Sequence, residues 1–240
     1  GVAAGDQAGT SVSAAGDVNG DGVGDLIVGA FAANSLAGAH YVVFGHTGSF
    51  TATFNLSSLD GTTGFRLDGV AANDYSGQKV CSAGDVNGDG FADLMIDAQG
   101  TDQNGSSSGS TYVVFGKSSG FASSINLSTL NGATGFRLDG AAAGDRSGYA
   151  IGSAGDVNGD GFSDMIVSSP QNTGASYVIF GKASGFASAL NLSTLDGNTG
   201  FRMGNGIAWT GRSVSSAGDV NGDGFGDVIV ASHSANGGAG

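Results

Sequence analysis

The chain has 240 residues, 47 of them glycine, and a formal net charge of −13. Its 8 Lys and Arg residues are too few for the clustered positive charge that nucleic-acid binding needs, and no apolar run reaches the roughly 18 residues of a membrane span. The lone cysteine, Cys81, excludes an intramolecular disulfide. Abundant glycine favours frequent turns over helices.

One acidic hexapeptide, Asp-Val-Asn-Gly-Asp-Gly, divides the chain into repeats. It begins at Asp17, Asp85, Asp156 and Asp219, with intervals of 68, 71 and 63 residues. Such intervals are too long for short solenoid repeats and suit four-stranded blades. We therefore expect blade repeats at residues 1–68, 69–139 and 140–203 and a partial repeat at 204–240, all in one propeller domain.

Each complete repeat is predicted to contain four strands. Small and β-branched residues precede the acidic loop, an apolar run follows it, and an aromatic, β-branched run ends at a glycine. The fourth segment alternates apolar and polar residues, as a half-exposed edge strand does. The predicted strands are 10–14, 26–28, 41–44 and 65–67; 79–83, 94–96, 112–115 and 136–138; 150–154, 165–167, 177–180 and 201–203; then 213–217 and 228–230.

The order of these strands predicts two different ends of each blade. An antiparallel meander puts the one-two and three-four connections at one end and the other connections at the opposite end. The acidic loops and the variable two-three loops then lie on opposite faces. The third and fourth strands keep a fixed interval, because Phe44 to Phe65, Phe115 to Phe136 and Phe180 to Phe201 each span 21 residues. The predicted class is all-β, a β-propeller with about three and a half blades in this chain.

The acidic loops have the donor chemistry of calcium sites. Each offers side-chain oxygens at positions 1, 3, 5 and 9, and calcium takes about 6 to 8 oxygen ligands. The chain has no glutamate, so an EF-hand is excluded, and position 12 is an apolar strand residue in all four loops. With no histidine or cysteine in the loops, zinc is disfavoured. The position 12 residues are Val28, Ile96, Val167 and Val230.

The loops and their flanks resemble the FG-GAP repeat, the blade of the integrin α-chain β-propeller, which is also found in secreted bacterial proteins. The resemblance rests on the Gly9-Thr10-Ser11-Val12 strand, the Asp-Val-Asn-Gly-Asp-Gly loops, Val28-Gly29-Ala30 and the segment from Gly38 to Gly45. It implies a ring that usually has seven blades and one calcium ion in each loop, held by four side chains and the seventh main-chain carbonyl. The implied ligands are Asp17, Asn19, Asp21, Val23 and Asp25; Asp85, Asn87, Asp89, Phe91 and Asp93; Asp156, Asn158, Asp160, Phe162 and Asp164; and Asp219, Asn221, Asp223, Phe225 and Asp227.

No catalytic constellation accompanies the repeats, so we expect no enzyme. His40, His46 and His233 share no repeat position, and each is expected at the surface. No nucleophile motif surrounds the serines. The sequons at Asn55, Asn126 and Asn191 occupy one repeat position, which favours a turn that builds the blade over glycan attachment.

One repeat position differs in every copy. Ten residues before each loop aspartate the chain has Gln7, Tyr75, Arg146 and Trp209, in the four-one connection opposite the calcium loops. Aromatic residues and arginine are preferred interface anchors, so Tyr75, Arg146 and Trp209 are the candidate partner-binding residues. Two alternatives to partner binding explain the same variation. One is sequence drift at an unconstrained exposed position, and the other is packing of Trp209 between blades.

The resemblance implies a secreted or cell-surface module for adhesion or protein interaction, and we expect it to bind a protein or glycan through the face opposite calcium. Four calcium ions would be structural. Half a blade at 204–240 needs completion by further blades of the same polypeptide or another subunit, and we expect a piece of a longer protein. A structural subunit of a large extracellular assembly and an accessory module of a secreted hydrolase or lyase are the alternatives.

Overall fold

A computed structural model describes residues 2–49, 51–172, 174–204 and 209–232. Sixteen strands lie within these ranges, together with one four-residue helical turn, α1, and three short 3-10 helices. The strands are β1 (Ser11–Gly16), β2 (Asp25–Ala30), β3 (Ala39–Val43), β4 (Gly64–Asp68), β5 (Val80–Gly84), β6 (Asp93–Ala98), β7 (Ser110–Val114), β8 (Ser124–Asn126), β9 (Gly135–Asp139), β10 (Ile151–Gly155), β11 (Asp164–Ser169), β12 (Ala175–Ile179), β13 (Ala189–Asn191), β14 (Gly200–Met203), β15 (Thr210–Gly218) and β16 (Asp227–Ser232). The helical segments are α1 (Ala33–Leu36) and the 3-10 helices Leu56–Ser58, Leu127–Thr129 and Leu192–Thr194.

The predicted meanders are confirmed. Blade 1 contains β1 to β4, blade 2 contains β5, β6, β7 and β9, and blade 3 contains β10, β11, β12 and β14, all paired antiparallel in chain order. The hairpin of β15 and β16 begins blade 4. This is a partial β-propeller in which acidic loops join the first two strands of every blade.

The fourth strand of blades 1 and 2 is not an edge strand, so the prediction of an exposed edge is wrong there. β8 pairs in parallel with β4, and β13 pairs in parallel with β9. The Arg66 N–H donates to the Ser123 carbonyl at 2.9 Å, and the Arg137 N–H donates to the Ser188 carbonyl at 3.0 Å. Each added strand comes from the following repeat, and the sheets are therefore offset from the sequence units.

The hydrophobic core lies between neighbouring blades. Phe65 and Leu67 of blade 1 pack in one cluster with Leu94 and Ile96 of blade 2. Leu26 and Leu94 occupy equivalent positions in blades 1 and 2. Leu94, which blade 1 covers, is 0% exposed, whereas Leu26, on the outer face of blade 1, is 51% exposed. Burying a leucine side chain contributes about 1.5–3 kcal/mol, so each blade depends on its neighbour for much of its stability.

Two local features depart from the sequence-based expectations. His40 is completely buried in β3, so its predicted surface location is wrong. His46 is exposed, as predicted, and His233 lies outside the described residues. The connection after β2 contains α1, in which Asn34 and Ser35 have left-handed φ values of 53° and 59°.

Candidate metal loops and the opposite rim

The four acidic loops fold in the same way because the side chain of the first aspartate folds the backbone around itself. In the first loop, Asp17 Oδ1 accepts the Gly20 N–H at 2.7 Å and Oδ2 accepts the Gly22 N–H at 2.8 Å. Asp21 Oδ1 accepts the Val23 N–H at 2.8 Å. Gly20 and Gly22 have φ values of 73° and 84°, a conformation that favours glycine. The other loops repeat these bonds to within about 0.2 Å.

The ninth residue of each loop turns inward. Asp93 is completely buried, and its carboxylate accepts the Val86 N–H at 2.8 Å and the Gly116 N–H at 2.9 Å. It thereby connects the acidic loop to the end of the third strand. The pKa of Asp93 is raised to about 7, chiefly by burial; the two backbone N–H bonds act to lower it, and the nearby Asp89 and Asp85 charges act to raise it.

Each acidic loop concentrates the negative charge of three aspartates. The two ion pairs among the described residues join Arg66 to Asp68 and Arg137 to Asp139, outside the loops. The loop oxygens come from carboxylates, an amide and main-chain carbonyls, which fits a hard cation. Within the described ranges, however, no three Asp, Glu, His or Cys side chains are grouped closely enough to hold a metal ion.

The first three acidic loops also bond to the next blade, a role that was missed in the sequence. The Asp17 carbonyl accepts the Ala92 N–H at 2.9 Å, and the Val18 carbonyl accepts the Lys117 N–H at 3.0 Å. The Phe91 ring covers Gly20 so closely that a Cβ there would overlap it. The same contacts recur from Asp85 to Ser163, from Val86 to Lys182 and from Asp156 to Gly226, with Phe162 on Gly88 and Phe225 on Gly159. The loops are therefore connectors between blades.

The variable position at the opposite rim has one backbone conformation. Tyr75, Arg146 and Trp209 have φ values of 55°, 48° and 72°, and Gln7 has 53°. Hydrogen bonds from the preceding blade hold this conformation. The Tyr75 N–H donates to the Leu36 carbonyl at 2.8 Å, and the Arg146 N–H donates to the Ser107 carbonyl at 3.0 Å. The rim thus presents different side chains from equivalent, fixed backbone positions.

Two of the three candidate partner residues share a cavity. Tyr75 and Arg146 line a space of about 240 Å³, with Tyr75 half-buried and Arg146 exposed. Trp209 is half-buried and does not line that cavity; the Arg212 guanidinium lies 5.7 Å from its ring centroid and 5.9 Å from that of Tyr149. The other lining residues are Gln78, Gln99, Gly100 and Ser107.

The three sequon asparagines build turns, as predicted. Asn55 Oδ1 accepts the Ser57 N–H at 3.0 Å at the start of a 3-10 helix. Asn126 and Asn191 do the same for Ser128 and Ser193. The three side chains therefore cap short helices, and those of Asn126 and Asn191 do so at the ends of the added parallel strands.

Repeated four-stranded blades joined through acidic loops define a segment of a β-propeller. The model of the FG-GAP repeat family matches residues 8–43, 76–114, 147–179 and 210–240. The chain belongs to the FG-GAP repeat family, of the integrin α type. The four matched segments each include one acidic loop and its flanking strands.

Integrin α-chains are similar to this sequence over most of its length. Integrin alpha-V of Gallus gallus is 30% identical over 226 residues, covering 90% of this chain and 19% of the relative. Integrin alpha pat-2 of Caenorhabditis elegans is 30% identical over 227 residues, covering 91% of this chain and 17% of the relative. Integrin alpha-4 of Xenopus laevis is 30% identical over 171 residues, covering 69% and 15%. The chain thus spans less than a fifth of each of these three relatives. Among the described residues, no helix is long and apolar enough to cross a membrane.

Proposed function

We propose that this chain is a non-catalytic module for extracellular adhesion or protein interaction, stabilised by calcium in its four acidic loops. The observation that carries the calcium assignment is the fourfold recurrence of one carboxylate-rich loop geometry. The similarity to integrin α-chains supports adhesion and a location outside the cell or at its surface. The proposed ligands of each ion are the residues at positions 1, 3, 5 and 9 and the carbonyl at position 7.

Calcium would act on stability through the connections between blades. The loop backbone that surrounds the proposed ion also accepts N–H groups from the following blade. An ion that neutralises the loop carboxylates would favour this conformation over the unfolded chain. A ligand that binds only the folded state contributes about 2.7 kcal/mol per site at a hundredfold excess over its Kd.

Removal of calcium tests this assignment. EDTA should lower the melting temperature markedly, and added calcium should restore it. Asp89→Ala should remove one site and leave three in a calorimetric calcium titration. Asp60→Ala is the matched control, because Asp60 also accepts backbone N–H groups at an exposed turn but lies outside the acidic loops. An identical melt with and without EDTA would overturn the proposal.

The partner surface is proposed at the opposite rim, around the cavity between Tyr75 and Arg146. Its amide, hydroxyl, phenol and guanidinium groups suit a polar protein or glycan ligand, and Trp209 would extend the surface towards blade 4. Adhesion of cultured cells to protein-coated wells provides the measurement. Tyr75→Ala and Arg146→Ala should reduce adhesion, whereas Lys182→Ala at the acidic rim should not. Equal losses in all three variants would contradict this assignment.

Completion of the ring is the remaining proposal. The repeats 1–68, 69–139, 140–203 and 204–240 would take their place among further blades, supplied by the same polypeptide or another subunit. Ile229 of β16 is 59% exposed, whereas the equivalent Ile27, Met95 and Ile166 are completely buried by a following blade. Such an exposed apolar position supports a further blade against blade 4.

A further inference from the structure

A phenylalanine after the third strand returns to the preceding blade in two repeats. Phe121 of the second repeat stacks on Phe65 of the first, with ring centroids 4.5 Å apart and an angle of 9°. It also meets Phe44 edge-on at 5.3 Å. Phe186 makes the same contacts with Phe136, at 4.7 Å, and with Phe115, at 5.2 Å. The ring of one repeat therefore completes a cluster of three rings in its neighbour.

The residues after each returning phenylalanine form the added parallel strand. β8 and β13 pair with β4 and β9, and each ends at an asparagine that caps a turn. The next residue, Leu127 or Leu192, is 1% exposed. We call residues 121–127 and 186–192 the latch segments; their sequences are Phe-Ala-Ser-Ser-Ile-Asn-Leu and Phe-Ala-Ser-Ala-Leu-Asn-Leu.

Blade 3 has the same pair of rings and the same fourth strand that hold a latch segment in blades 1 and 2. Among the described residues, no latch segment lies on them. Phe180 and Phe201 lie 5.9 Å apart at 60°, the geometry that Phe44 and Phe65 have at 5.8 Å and 58°. Both rings of blade 3 are half-buried, whereas Phe65 is 0% exposed. β14 is the outer strand of its sheet.

The first repeat shows that the latch strand forms on its acceptor. Residues 50–56, Phe-Thr-Ala-Thr-Phe-Asn-Leu, match the latch pattern, although Phe50 lies outside the described residues. Asn55 still caps its turn, but residues 51–55 form no strand and Phe54 is 41% exposed. The first repeat therefore keeps the asparagine-capped turn, which depends on local contacts. It does not form the parallel strand, which depends on an acceptor blade.

We propose that β14, Phe180 and Phe201 form a binding groove for a latch segment, and that its occupant is the connection between the third and fourth strands of the FG-GAP repeat that directly follows blade 3. This inference rests on the proposal that further blades complete the ring, and it identifies the site and the recognised sequence. Recognition is by strand addition. The backbone of β14 selects an extended parallel segment, the two rings select a phenylalanine, and the following turn requires asparagine.

Binding of a synthetic peptide to the intact chain tests the groove. A fluorescently labelled peptide of residues 186–194, Phe-Ala-Ser-Ala-Leu-Asn-Leu-Ser-Thr, should bind saturably in an anisotropy titration. Replacing its phenylalanine by alanine should weaken binding at least tenfold. Methylation of the backbone nitrogen of its first leucine should also weaken it, because a parallel ladder uses that N–H.

Protein variants locate the peptide. Phe201→Leu keeps an apolar side chain in the core but removes the ring, and it should weaken binding severalfold. Phe65→Leu makes the same change at an acceptor that already holds its latch segment, and it should leave binding unchanged. Absence of binding, or an equal effect of both variants, would overturn the inference. If EDTA still destabilises the protein in that case, the calcium proposal stands and only the groove is lost.

Discussion

The first two blade junctions share their packing but differ in the polar group that they bury. In the first, His40 of β3 lies against Gly77; its Nδ1–H donates to the Leu67 carbonyl and its Nε2 accepts the Ser76 hydroxyl, both at 3.1 Å. In the second, Thr111 takes the place of His40. The Cβ of Asp97 of β6 lies near Gly148, and its carboxylate accepts the Gly77 and Lys79 N–H groups at 3.0 and 2.8 Å. Both His40 and Asp97 are completely buried.

Burial affects the two groups in opposite directions. It lowers the pKa of His40 to about 4 and raises the pKa of Asp97 to about 7, because a charged form loses its hydration in each case. Between these values each junction contains a neutral group. The two near-copies of one repeat therefore bury different polar groups, whose effects on stability depend on pH in opposite directions.

The largest expected difference between the junctions is a loss of stability at high pH that depends on Asp97. Its folded pKa is about 7 against an ordinary value of 3.8, so its contribution is complete below about pH 4 and is lost as pH rises through 7. The wild type should lose up to about 4 kcal/mol relative to Asp97→Asn between pH 4 and 8. Urea unfolding of both proteins in saturating calcium measures this. Parallel pH curves would contradict the prediction.

His40 should produce the opposite trend. Its folded pKa of about 4 lies below the ordinary 6.5, so its contribution is complete above pH 6.5 and is lost as pH falls through 4. The wild type should lose about 3 kcal/mol relative to His40→Gln on acidification. The same urea series applies, and Asp97→Asn serves as the control because it keeps His40 and the hydrogen bonds of its ring to Leu67 and Ser76. A difference that grew towards high pH would refute the assignment.

A smaller effect should follow from filling the space beside His40. Gly77 and Gly197 both have a φ of 90°, but a Cβ at Gly77 would overlap the His40 ring, whereas Gly197 has nothing within 4 Å. Gly197→Ala therefore measures backbone strain alone. Gly77→Ala should cost about 2 kcal/mol more because of overpacking, as measured by thermal unfolding. Equal losses would show that the junction yields to the added methyl group.

The strands were predictable because four copies of one pattern mark them, and each predicted segment lies within about three residues of an observed strand. The sequence also shows the constant 21-residue interval between the third and fourth strands. It does not show why the interval is constant. That connection must carry Phe121 or Phe186 across to another blade and return. A three-residue strand such as Ser-Ile-Asn has no periodicity of its own, so only its acceptor reveals it.

The candidate site was predictable to a different degree at the two rims. The loop residues followed from their donor chemistry and spacing. The bonds from the loops to the next blade did not, because they join main-chain groups of different repeats. His40 was missed since a histidine present in one copy has no pattern, and its burial depends on the glycine at position 77 of the neighbouring repeat.

The offset between sheets and repeats separates two units that are usually treated as one. The unit that a gene duplication would copy runs along the sequence from one acidic loop to the next. The unit that folds as one sheet includes, in blades 1 and 2, three residues of the following copy. A protease cut at a repeat boundary would therefore deprive the upstream blade of its last strand, and a domain excised for expression keeps its terminal sheet whole only if it extends through the next latch segment.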